Sequence, residues 1–179
     1  RVQGPVLFGV LTRARHEQAQ HNAATLVSPE GRTQQPQAKL ELLWFGETVP
    51  FGKYLPALRR WFSRAGGLVP GDSIELLSWR DARIGVLNCY EDTLPSVGRR
   101  VARAGPNLLV NLTNDGWFAF NQMPQHLQLA VFRSIENRVP TARSVNTGVS
   151  GFIDPVGRVY DTIPVHTVGT RTAELILDR

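Results

Sequence analysis

Apolar and polar positions alternate along this chain in blocks whose spacing changes from strand-like to helix-like and back. Pro5 to Thr12 (PVLFGVLT) is an apolar run closed by Arg13-Ala14-Arg15, which predicts a buried strand. His21 to Val27 predicts a second strand, and Ser28-Pro29-Glu30-Gly31 the turn after it, so the two form a hairpin with a long polar connection. Residues 38–50 carry a mixed signal that ends at Pro50. Tyr54, Leu55, Leu58, Trp61 and Phe62 share one face of an amphipathic helix that Gly66-Gly67 ends. Ile74–Trp79 and Arg83–Asn88 are two β-rich runs around Arg80-Asp81, a hairpin-like pair. A helical period follows from Leu94 to Ala104, then a strand at Leu108–Thr113. Gln125–Arg138 predicts a helix with Leu127, Ala130, Val131, Ser134 and Ile135 on one side. Thr141–Val145, Val149–Ile153, Arg158–Thr162 and Thr172–Leu177 predict the closing strands. Alternation in the middle and hairpins at both ends favour an α/β or α+β layered sandwich, in one domain spanning residues 1–179.

Composition narrows the function. Of 179 residues, 42% are hydrophobic and 20% charged, an ordinary globular balance. The net charge of +5 invites nucleic acid or an anionic membrane as partner. The arginines do not form a run, however. Arg99, Arg100 and Arg103 fit the solvated face of one helix and Arg59, Arg60 and Arg64 that of another, so no nucleic-acid partner is expected. The histidines His16, His21, His126 and His166 are scattered and the cysteine count is 1, so neither a metal site nor an internal disulfide is expected. No segment reaches the ~18 apolar residues that span a bilayer. The start, Arg1-Val2-Gln3-Gly4-Pro5, is not a signal peptide, and the chain is expected to begin inside a longer protein.

The single cysteine marks the candidate chemistry. In Ala82–Glu91 (ARIGVLNCYE), Cys89 stands between an apolar strand and a following helix. A sharp turn there exposes a side chain above a sheet and aims backbone N–H groups at one spot, the arrangement of a nucleophile elbow. A thiolate at that position attacks acyl carbonyls, with the amide of Tyr90 to bind the oxyanion. An inert, buried cysteine fits the same pattern. The acids Glu91 and Asp92 by themselves would raise a thiol pKa, so a useful thiolate calls for a nearby cation. Lys39, entering an otherwise apolar segment, is the candidate, although chemistry alone favours a surface lysine snorkelling beside leucine and tryptophan.

Motif order adds what chemistry leaves open. Lys39, then Phe45-Gly46-Glu47-x-x-Pro50, Cys89-Tyr90-Glu91, Asn114-Asp115-Gly116-Trp117-Phe118, Gln125-His126-Leu127 and Asn146-Thr147-Gly148-Val149 together resemble the nitrilase superfamily of carbon–nitrogen hydrolases, and within it the apolipoprotein N-acyltransferases. The resemblance implies an α-β-β-α sandwich, here N-terminally incomplete, and a Glu–Lys–Cys triad without metal or organic cofactor. It makes Cys89 the nucleophile of a thioester intermediate, Lys39 the cation beside the tetrahedral intermediate, and Glu47, Glu91 and Tyr90 supporting residues. The triad's general-base glutamate falls upstream of the opening hairpin and nothing here matches it; Glu17 and Glu30 sit in turns. The chain alone is therefore expected to be inactive. Departures from the family pattern are Gln37-Ala38 before the lysine, Trp44, Thr48 and Ala119.

The implied reaction moves a fatty acyl chain from a phospholipid donor, through Cys89, to the diacylglyceryl-cysteine amine of an apolipoprotein acceptor. The implied location is the bacterial inner (cytoplasmic) membrane, with the catalytic domain on the periplasmic side. Trp117, Phe45, Trp61 and Phe62 are the expected substrate contacts. The Tyr54–Arg64 helix, with arginines flanking an apolar stripe, reads either as a mobile flap at the bilayer or as ordinary core. A soluble amidase of the same superfamily and a non-catalytic basic membrane- or nucleic-acid-binding domain are the alternatives.

Overall fold

The computed structural model describes residues 3–13, 20–50, 54, 60, 67–117 and 122–178. Strand β1 (Val6–Arg13) pairs antiparallel with β2 (Gln20–Val27), which pairs with the short β3 (Gln37–Ala38). A six-stranded sheet follows: β4 (Leu77–Trp79), β5 (Ala82–Asn88), β6 (Leu108–Asn114), β7 (Thr141–Asn146), β8 (Ser150–Ile153) and β9 (Val159–Ile163), in that spatial order. The three central strands β5, β6 and β7 run parallel and the flanking pairs are antiparallel.

The parallel centre follows from the sequence. A strand covered on both faces reads as a continuous apolar run, and IGVLN of β5 is buried throughout. Parallel neighbours need crossovers, supplied by helices α1 (Pro95–Ala102) and α2 (Gln122–Asn137). Pro95 occupies the first turn of α1, where its missing N–H costs no bond.

Two cores separate three layers. Ala24 and Leu26 of the small sheet meet Leu77, Ile84, Val86 and Val110 of the large one. On the opposite face, Leu87 and Leu109 pack against Val97 and Val101 of α1 and against Leu40 and Val139. Gly85 lets α1 approach the sheet closely: a Cβ there would stand 2.6 Å from Val101 Cγ1 and 3.2 Å from Leu109 Cδ2.

The structure corrects the sequence reading in places. Residues 172–178 form no strand; among the described residues their alternation finds no partner strand to complete a ladder. β4 begins at Leu77 rather than Ile74. Helix α2 starts at Gln122, and its buried face is Met123, His126, Ala130, Arg133 and Ser134. Val131 and Ile135 instead cover the β8–β9 turn, 3.1 and 2.6 Å from a Cβ placed on Gly157. Of the expected Tyr54–Arg64 helix only Tyr54 and Arg60 are described, so Trp61 and Phe62 lie outside the described residues. Among the described residues no helix is long and apolar enough to cross a membrane, and no cluster of His, Cys, Asp and Glu is arranged to hold a metal ion.

Candidate active site

The carboxyl ends of β5, β6 and β7 carry Asn88-Cys89, Asn114 and Asn146, and all four line one cleft of about 690 Å³. In open α/β sheets ligands bind outside these strand ends. Lys39, Leu43, Gly46 and Glu47, from the segment after β3, form the facing wall.

Cys89 sits at the turn between β5 and a 3₁₀ helix, Cys89–Thr93, with φ +54°. A left-handed backbone at a non-glycine residue costs of order 1–3 kcal/mol and persists only where surroundings enforce it. Here Asn88 and Glu91 occupy the N-cap and third positions of a capping box, with Glu91 Oε2 accepting the Asn88 N–H at 2.7 Å. The other Glu91 oxygen accepts the N–H groups of Leu40 at 2.7 Å and Glu41 at 3.0 Å. One carboxyl thus joins the cysteine turn to the lysine segment. Burial pushes the Glu91 carboxyl up to about 7, against the pull of those three N–H groups and of Lys39.

Lys39 is 1% exposed. Its Nζ lies 2.6 Å from Glu47 Oε2 and 5.0 Å from the centroid of the Tyr90 ring. Glu47 also accepts the Leu43 N–H at 2.8 Å and the Asn22 Nδ2 at 2.8 Å. Burial raises the Glu47 carboxyl, but these hydrogen bonds and the Lys39 charge outweigh it and hold it below its usual value. Tyr90 donates its hydroxyl to the Leu42 carbonyl at 3.1 Å; burial, with Glu41 and Glu91, pushes the phenol up to about 12.

Burial also pushes the half-buried Cys89 thiol up. Lys39 and the backbone N–H groups of Asn114 and Tyr90 pull it down, and Glu47 adds to the rise. The resting thiol is therefore protonated at neutral pH, and the cleft offers its thiolate a cation and two N–H donors once a base removes the proton.

Of the residues singled out in the sequence, Cys89, Lys39 and Glu47 meet in the cleft, while Glu91 and Tyr90 buttress it from behind. Phe45 is 46% exposed in the adjoining turn and does not line the cleft. Trp117 ends a 3₁₀ helix, Asp115–Trp117, and its side chain lies outside the described residues. Asp92, expected to bear on the thiol, is 1% exposed and bonded instead to His126 and Arg143. The sequence reading passed over Asn22 and Asn111. Asn111, in the middle of the buried LLVNLT strand, gives the one available signal, because a buried amide needs partners. Its Nδ2 donates to the carbonyls of Leu87 at 2.8 Å and Cys89 at 3.2 Å.

Similarity to known proteins extends over most of the chain. The chain is 40% identical over 157 residues to an apolipoprotein N-acyltransferase of Geobacter metallireducens, covering 87% of this chain and 30% of that protein. It is 38% identical over 152 residues to the apolipoprotein N-acyltransferase of Bdellovibrio bacteriovorus, covering 82% of this chain and 28% of the relative. The chain thus spans under a third of the length of these curated relatives. Among solved structures, an amidase from Nesterenkonia sp. superposes with TM-score 0.68 at 20% identity, covering 90% of this chain and 57% of the amidase. A carbon–nitrogen hydrolase from Helicobacter pylori superposes with TM-score 0.70 at 14% identity, covering 90% and 58%. These two share the fold. The sequence pattern of the carbon-nitrogen hydrolases matches residues 2–179, nearly the whole length, and the chain belongs to that family.

Proposed function

We propose that this chain is part of the catalytic domain of an apolipoprotein N-acyltransferase. Cys89 is its nucleophile, Lys39 its oxyanion cation, and Glu47, Glu91 and Tyr90 hold the two in place. The observation that carries the reading is the shared cleft, in which a strained cysteine turn faces a buried, carboxylate-oriented ammonium. Relatives bearing the transferase name at 33–40% identity favour this over the amidase reading, whose solved examples reach 20% identity.

The chemistry is ping-pong acyl transfer. The Cys89 thiolate attacks the ester carbonyl of a phospholipid, forming a C–S bond. The tetrahedral oxyanion rests against Lys39 Nζ and the Tyr90 amide. Collapse breaks the ester C–O bond, and the lysophospholipid alkoxide leaves with a proton. The α-amine of a diacylglyceryl-cysteine then attacks the thioester carbonyl, the C–S bond breaks, the amine gives up its proton and Cys89 is restored. Glu47, the only carboxylate lining the cleft among the described residues, is already engaged by Lys39, Asn22 and Leu43. The base that takes the thiol proton is therefore assigned to the triad glutamate that the family resemblance implies, for which no other described carboxylate lining the cleft stands in. Phe45, Trp61, Phe62 and Trp117 are assigned to lipid contact. The site is placed at the periplasmic face of the bacterial inner membrane, with anchorage in the part of the relatives' length that this chain does not span.

The test is transfer by the full-length protein in phospholipid vesicles to a diacylglyceryl-cysteine peptide. Appearance of the N-acylated peptide supports the reading. Hydrolysis of butyramide without transfer would assign the chain to the amidases, and neither activity would assign it a binding role.

A further inference from the structure

The motif residue His126 takes no part in the cleft chemistry, yet it is the hub of a buried network beneath it. Its Nδ1 lies 2.7 Å from Asp115 Oδ1 and its Nε2 lies 2.7 Å from Asp92 Oδ1. An imidazole between two carboxylate oxygens donates from both nitrogens only as the imidazolium. His126, Asp92, Asp115 and Arg143 are 5%, 1%, 0% and 4% exposed. Arg143 of β7 bonds the second Asp92 oxygen and donates to Asn111 Oδ1 at 2.6 Å. Its Nη2 stands 3.6 Å from Asp115 Oδ2. Two cations and two anions therefore close a charge-balanced ring.

That ring holds the cysteine turn at two points. Asp92 belongs to the 3₁₀ helix Cys89–Thr93. Asn111, fixed by Arg143, binds the Cys89 carbonyl itself. We propose that His126 is a positioning residue: as an imidazolium clamped between Asp92 and Asp115, it keeps the Cys89 turn in its left-handed conformation and so in register with Lys39. The inference rests on the catalytic role proposed above for Cys89.

The charged and titratable groups facing His126 are Asp92 from the 3₁₀ helix after β5, Asp115 from the one after β6 and Arg143 from β7. Tyr90 shares with it the wall of a small groove. Burial lowers the ring's pKa, and Arg143 lowers it further. The hydrogen bonds to Asp115 and Asp92 and the Asp92 charge outweigh both and push it up to about 9. The clamp is intact at neutral pH and opens as pH rises through that value. Removing the Asp115 charge brings the opening to lower pH.

The experiment compares His126→Gln and Asp115→Asn with wild type in the full-length protein. It reads the melting transition, kcat and KM for acyl transfer against pH, and amide hydrogen exchange of peptides spanning residues 85–94 at pH 7. His126→Gln is expected to keep a cooperative melt and a KM within about threefold, to lose at least about tenfold in kcat, and to speed exchange in the 85–94 peptides, since small misplacements of a nucleophile cost about that much or more. Asp115→Asn is expected to move the alkaline fall of kcat down by about one pH unit. A folded His126→Gln with unchanged 85–94 exchange and kcat within twofold overturns the proposal. So does an Asp115→Asn profile that superimposes on wild type, and this arm decides alone if His126→Gln does not fold. Should wild type transfer no acyl chain, the proposed function fails while the exchange arm still decides the role of His126.

Discussion

Glu91 Oε1 accepts the backbone N–H of Leu40 at 2.7 Å across 51 residues of sequence. That bond, with its partners at Glu41 and Asn88, fixes the distance between the segment carrying Lys39 and the turn carrying Cys89. A cation stabilises an oxyanion only if it is already in place when charge develops, so under the role proposed for Lys39 the three backbone N–H bonds of this buried carboxyl would preorganise the site.

Lys39→Met should abolish turnover and destabilise the protein by about 3–5 kcal/mol, because it strands the carboxylate of Glu47 beside an apolar chain. Glu47→Gln added to it should recover part of the melting temperature and none of the activity. Thermal unfolding and transfer assays on both variants check this.

The same substitution bears on the thiol. Lys39 lowers the Cys89 pKa against burial, so Lys39→Met should raise it further and slow alkylation of Cys89 at pH 7. Iodoacetamide labelling against pH, followed by mass spectrometry at the Cys89 peptide, should show the whole curve displaced to higher pH. A curve unchanged by Lys39→Met would mean that the two groups do not interact.

Glu91 makes stability depend on pH. Its folded-state value of about 7 lies above the 4.5 of the free group, so between those values the folded protein keeps a proton that the unfolded chain has lost. Stability contributed by this group is complete below pH 4.5, falls as pH rises to about 7 and is level above it. The fall is on the order of 3 kcal/mol. Glu91→Gln should remove this slope, and should cost about 1–3 kcal/mol through the backbone N–H its amide cannot accept. Denaturant unfolding at pH 5, 6 and 7 measures both effects. Glu47 has the opposite sign: its lowered value contributes stability above pH 4.5 that is lost as pH falls below it.

Gly148→Ala tests the packing beneath the site. An added Cβ would collide with Asp115 Oδ2 and stand 2.8 Å from Val145 Cγ1, forcing Asp115 off His126 or shifting β7. A loss of about 1–3 kcal/mol is expected, with reduced transfer in the protein that remains folded. Melting temperature and specific activity give the two readings.

The strands and the cysteine turn were legible because they are local: IGVLN is a continuous apolar run, and Cys89 follows it directly. Motif order supplied the Lys39–Cys89 pairing, which no local pattern contains. The ring around His126 was not legible, because its bonds join residues 11, 34 and 51 positions apart and its members read singly as a scattered histidine, an acid near a thiol and a strand arginine. For the same reason the face of α2 was legible only in part: Ala130 and Ser134 are buried on the expected side. Its apolar period marks Val131 and Ile135, while His126 and Arg133 are buried against polar partners that hydrophobic spacing does not register. Thr172–Leu177 alternates like a strand, but alternation does not supply a neighbour to pair with.

The central claim is that Cys89 carries the acyl chain, and the direct measurement is a mass spectrum of the full-length protein after incubation with a phospholipid of defined acyl chains and no acceptor. The account predicts that the peptide containing Cys89 gains the mass of one acyl chain, that hydroxylamine removes it, that a diacylglyceryl-cysteine peptide discharges it, and that Cys89→Ala shows no adduct. An acyl adduct persisting in Cys89→Ala, or transfer to acceptor at wild-type rate by that variant, would contradict it.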